Sequence, residues 1–152
     1  MKFPYLPARV SRPRATLGGG QVRHRPVVPF RVIGPGNFLV RDGLLDTGAD
    51  ETVLEDWMAG YLGIDLTQAP EQPVNLIGRP GTIACRYATV ELLVTDVQET
   101  YRWSALVGFV PMRLHYQLLG HSGFLEYFEA EFRGADHEVI LTANRSFSGT
   151  RS

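Results

Sequence analysis

The segment Leu44-Leu45-Asp46-Thr47-Gly48-Ala49-Asp50-Glu51-Thr52-Val53-Leu54 sets three acids and two hydroxyls between apolar residues. Two leucines running into Asp46 mark the end of a buried strand, and a lone carboxylate is costly to bury. Gly48 lets the backbone reverse tightly, and the Thr47 hydroxyl can tie the turn down. A carboxylate held on such a turn is suited to moving protons. The same residue types also serve a plain β-turn that closes a hairpin, where Asp and Gly are common.

Other chemistries lack their residues. The chain contains no His-Glu-x-x-His, no Gly-x-Ser-x-Gly and no phosphate-binding loop. Cys85 is the only cysteine, which excludes an intrachain disulfide and a thiolate metal cluster. No motif surrounds it, so it reads as a small core residue. His24, His115 and His137 are scattered and need no special role.

The elements around Asp46 follow from hydrophobic spacing. Residues 27–33 and 37–45 read as two strands joined by Gly34-Pro35-Gly36, a hairpin that delivers Asp46 to its end. Pro29 places the first strand near an edge or bulge. Val53, Leu54, Trp57, Met58, Tyr61 and Leu62 recur at helical spacing with Gly63 as the stop, and the aromatics are expected in the core. Residues 75–83 read as strand, tight turn and strand, with Gly81 in the positive-φ place after Arg79-Pro80. Further strands run to about Thr95 and from 101 to 107. Gln117-Leu118-Leu119-Gly120 repeats the apolar approach to a glycine, Ser122 is expected to cap a short helix, and residues 129–142 form a last hairpin.

At 152 residues, with sixteen glycines and ten prolines, the chain reads as one domain of short strands and many turns. The expected division is a basic Pro/Gly-rich arm over 1–26, a folded domain over 27–142 and a tail over 143–152. No run of eighteen apolar residues and no signal-peptide pattern occurs, so the cytoplasm is the default location. Residues 1–41 carry eight basic groups and no acids, whereas residues 42–152 set seven arginines against sixteen acids, a net −9. Such an arm can bind nucleic acid or pack on an acidic surface of its own protein or of a partner subunit. The second is favoured, because no nucleic-acid motif or aromatic stacking pattern accompanies the arginines.

Taken together, these stretches resemble the retropepsin-like, or retroviral-type, aspartic proteases. The resemblance starts at Arg25-Pro26-Val27-Val28, runs through residues 44–54 and returns at Leu118-Leu119-Gly120. Ile77-Gly78-Arg79-Pro80-Gly81-Thr82 lies where that family carries its glycine-containing flap. The arm before residue 25 and the helix near Trp57 suggest a cellular or bacterial-like member. The resemblance implies an all-β, single-lobe closed barrel or sandwich with one or two short helices, active as a twofold-symmetric homodimer.

An aspartic protease needs two carboxylates about 3 Å apart that share one proton, and no metal or cofactor. This chain supplies one such residue and is too short for two lobes, so each of two copies would contribute its Asp46. The resemblance further implies that Thr47 bonds across the dimer beneath the pair and that Gly48 presents its backbone to a peptide substrate. Ala49, Asp50, Ile77, Gly78 and Gly81 would bind substrate, while Leu118, Leu119 and Gly120 would support the active-site turn. His121 stands where the family commonly has Arg, so the ion pair near the dimer interface is absent or replaced. The alternative is a catalytically silent domain of the same fold that dimerises and binds peptides.

Overall fold

The computed structural model of the chain describes residues 1–76 and 80–152. Alternation of buried and exposed residues builds the hairpin that carries Asp46. Strand β4 (Val27–Ile33) turns Val28, Phe30 and Val32 inward and Pro29 and Arg31 outward. It pairs antiparallel with β5 (Phe38–Leu45), from Val27 opposite Leu44 to Ile33 opposite Phe38. The other side of β4 bonds β8 (Ile83–Thr95) only at Arg31–Ile33, so Pro29 lies where its missing N–H interrupts no second ladder. Strand β5 passes unbroken through Asp42-Gly43. A Cβ on Gly43 would stand 2.5 Å from Leu119, which is why this position of the strand is bare.

The remaining barrel strands close around that hairpin. Strand β9 (Thr100–Val110) pairs with β8 along ten residue positions, Arg86 opposite Phe109 through Thr95 opposite Thr100. Tyr101, Trp103, Ala105 and Val107 point inward, and Arg102, Ser104 and Leu106 point outward. Two short strands complete the ring: β6 (Val53–Glu55), parallel to β9, and β10 (Gln117–Leu119), parallel to β5. The order β9-β6-β10-β5-β4-β8, closed by the β8–β9 pairing, is a six-stranded barrel. Strand β7 (Glu71–Val74) extends the sheet beyond β8, and β13 (Thr150–Arg151) extends it beyond β9.

A second sheet covers the barrel in the order β1 (Lys2–Pro4), β12 (Glu138–Ala143), β11 (Phe128–Arg133). Phe3, Phe128, Val139 and Leu141 are buried between the layers. Trp103 is the hub there: its ring meets Phe124, Phe128 and Phe147 edge-on at 5.3–5.9 Å, and its Nε1 donates to the Gly123 carbonyl. The basic residues 6–25 form a hairpin of β2 (Leu6–Arg9) and β3 (Val22–Arg25), with Gly18 and Gly19 at positive φ in its turn.

Three local expectations differ, the first being that the strand expected from residue 75 lies earlier, as β7 (Glu71–Val74). Helix α1 (Trp57–Leu62) is present and stops at Gly63, whose φ is +78°, but only Met58, Ala59 and Leu62 of it are buried. Trp57 and Tyr61 face solvent, because one and a half turns bury only one stripe and the aliphatic residues occupy it. Ser122 caps no helix. The turn Leu125–Tyr127 is 3-10, and the Gly123 amide is satisfied by Glu126 Oε1 instead.

Candidate active site

Asp46 follows the last residue of β5, and its surroundings are built by backbone hydrogen bonds. Its amide donates to the Leu119 carbonyl at 3.1 Å, continuing the parallel β5–β10 ladder by one bond. The Ala49 amide donates to the Asp46 carbonyl at 3.1 Å, and the Gly48 amide donates to Asp46 Oδ1 at 2.9 Å. The carboxylate therefore has one oxygen held by its own turn. A Cβ on Gly48 would stand 3.3 Å from that oxygen and crowd it.

The chain after the turn is fixed against the Leu118-Leu119-Gly120 segment. His121 and Ser122 amides donate to the Ala49 and Asp50 carbonyls, and the Thr52 amide returns a bond to Ser122. Gly120 lies so close that a Cβ there would be 2.2 Å from the Glu51 carbonyl oxygen and 2.8 Å from that of Ala49. Both apolar approaches to glycine thus end side by side, Leu118 opposite Leu44 and Leu119 opposite Leu45.

A cleft of about 620 Å³ opens over this turn. Asp46, Gly48, Ala49, Asp50 and Glu51 line one side, and Val74, Leu76, Met112, Leu114, Tyr116 and Leu118 supply apolar wall. Arg25 also reaches it, with its guanidinium carbon 6.0 Å from the centre of the Tyr116 ring. Asp46 is half-buried, whereas Thr47, Gly48 and Asp50 are exposed in the single chain. Gly81 is exposed with φ of +81°, as its place in a tight turn requires. Ile77 and Gly78 lie outside the described residues. His121 is exposed, and its imidazole makes no hydrogen bond or ion pair among the described residues.

Three residues that sequence reasoning gave no site role stand beside the cleft. Glu55 is buried, yet its carboxylate accepts from the Leu114 amide at 2.7 Å and from Trp57 Nε1, and it lies 3.7 Å from Arg113. It anchors the loop that carries Met112 and Leu114 into the cleft wall. The Tyr87 hydroxyl donates to Glu51 Oε2 at 2.6 Å. Cys85, fully buried two residues earlier on β8, has its thiol pKa raised chiefly by burial. Only the glutamate's place two residues after Val53 was visible beforehand, and acids after a buried strand are common. Among the described residues no group of three His, Cys, Asp or Glu side chains is arranged to hold a metal ion, and no helix is long and apolar enough to cross a membrane.

One carboxylate held at the mouth of a cleft can take up or release a proton, and Asp50 and Glu51 are the other acids that line that cleft. A solved structure shares this architecture. The fold is that of a retropepsin-like aspartic protease. The chain superposes on such a protease from Rickettsia conorii with a TM-score of 0.54 at 15% identity, covering 100% of this chain and 92% of the other. No sequence-family model matches the chain, and no curated protein matches it. The likeness lies in the path of the backbone.

Proposed function

We propose that this chain is one half of an aspartic endopeptidase, completed when a second copy brings its own Asp46 against the first. The observation that carries the reading is the Asp46 turn: a half-buried carboxylate, oriented by the Gly48 amide and anchored through Leu119, at the mouth of a peptide-sized cleft. The retropepsin-like fold supports the general kind of activity.

In the homodimer, two carboxylates about 3 Å apart cannot both ionise, so one proton is shared. The ionised partner takes a proton from water as that water attacks the scissile carbonyl carbon. The protonated partner donates to the carbonyl oxygen, giving a tetrahedral diol. The protonated acid then gives its proton to the amide nitrogen while the ionised one takes a proton from a diol hydroxyl, so that the C–N bond breaks to a carboxylic acid and an amine and the pair again holds one proton.

The supporting residues take roles that fit this chemistry. Thr47 and Gly48 are exposed in one chain and would be covered by the second copy and by substrate. Ala49 and Asp50 would meet the substrate main chain, and Leu118, Leu119 and Gly120 would hold the turn rigid. Gly81 would belong to the hairpin that closes over the peptide, together with Ile77 and Gly78, whose roles rest on the sequence alone. Cleavage of a peptide library by the wild type and by Asp46→Asn tests the reading. Cleavage blocked by the substitution and by a statine-type inhibitor is expected. Cleavage that survives the substitution contradicts it.

A further inference from the structure

Glu51 and Tyr87 form a pair that the proton transfers at Asp46 do not use. Tyr87 is half-buried on β8 opposite Gly108, and its hydroxyl donates to Glu51 Oε2 at 2.6 Å. Burial and the neighbouring Glu51 carboxylate both raise the phenol's pKa, so it remains a donor. The backbone of Glu51 is also fixed, by its bridge to Ser122 and by the close approach of Gly120 to its carbonyl. One carboxylate oxygen is thus held, while Oε1 has no donor among the described residues.

Both residues line the cleft that contains Asp46, where Val53, Val74 and Leu118 contribute apolar surface. An apolar channel with an anionic oxygen fixed in its wall fits a side chain with a methylene stem and a cationic tip. Asp50 adds negative charge nearby. Arg25 shares the cleft but forms no ion pair with Glu51 among the described residues, its guanidinium lying toward Tyr116.

We propose that Glu51, oriented by Tyr87, selects peptides that carry a lysine or arginine side chain close to the scissile bond. This rests on the reading of the cleft as a peptide-cleaving site. Glu51 is a specificity-determining residue and Tyr87 a positioning residue that acts through it.

The experiment uses peptides identical except for one position near the cleaved bond, occupied in turn by Lys, Arg, norleucine, Gln and Glu. For the wild type, kcat/KM for Lys and Arg should exceed that for norleucine by about tenfold at one position, with Glu the poorest. In Glu51→Gln the Lys-to-norleucine ratio should fall to within about twofold, and Tyr87→Phe should give an intermediate ratio. The ratio, unlike total activity, is insensitive to a general loss of folded protein. Equal kcat/KM for Lys and norleucine in the active wild type overturns the proposal, as does a ratio that survives Glu51→Gln. A parallel arm measures, by calorimetry, binding of the same peptides with a reduced scissile bond to Asp46→Asn. Lysine-dependent binding without wild-type cleavage would keep this inference and remove the protease reading. Absence of any lysine preference in both arms overturns the inference itself.

Discussion

The Gly120 α-carbon faces the Glu51 carbonyl so closely that a methyl group on it would sit 2.2 Å from the oxygen. This contact locks the strand after the Asp46 turn onto the end of β10, and the atoms that would clash are backbone, which cannot rotate away. Gly120→Ala should therefore destabilise the fold by about 1–3 kcal/mol or more, read from urea unfolding. Gly60, inside α1 with open space around it and no positive φ, is the matched control. Gly60→Ala should be neutral or stabilising by about 0.5–1 kcal/mol. Equal effects at the two glycines would contradict the packing account.

Glu55 ties the stretch that leads into α1 to the loop around Leu114. Removing its carboxylate by Glu55→Ala leaves the Leu114 amide and the Trp57 indole without their acceptor. A loss of about 1–3 kcal/mol is expected, since buried donors are left unpaired. The loop carrying Met112 and Leu114 should loosen, and Trp57 fluorescence should shift to the red as its ring becomes freer. Unchanged stability and unchanged emission would show that the loop is held by other means.

Acid sensitivity should have an identifiable source in the second sheet. Glu138 lies 2.6 Å from Lys2 Nζ and 3.1 Å from Arg133, and the hydrogen bond from Lys2 is the main cause of its lowered pKa. A carboxylate with a lowered folded pKa adds stability above its unfolded value, near 4.5, and loses it as pH falls through the folded value. The Glu138→Gln variant should show a flatter decline of the urea midpoint below pH 4.5 than the wild type. Parallel curves would assign the acid limb to other groups.

The parts of this molecule that were legible in the sequence are those with strict spacing. Period-two burial in β4 and β9, the apolar runs into Asp46 and Gly120, and the φ demanded at Gly63 and Gly81 can all be read from residue type. Contacts between distant segments were not. Tyr87 and Glu51 are brought together only by barrel closure, and Glu55 looked like one more acid after a strand. Trp57 was expected inside because aromatics usually are. In a six-residue helix, however, Met58 and Leu62 already fill the single buried stripe. The second carboxylate of the proposed site would come from another copy, which the spacing of residues in one chain does not display.

That assignment can be tested by mixing chains. Wild type and Asp46→Asn should be unfolded together at equal amounts, refolded so that subunits exchange at random, and assayed at constant total protein. If both Asp46 residues form one site, only dimers of two wild-type chains cleave, and activity should fall to about one quarter of that of wild type alone. Activity of one half, in proportion to wild-type chains, would mean that each chain works by itself and would contradict the shared site.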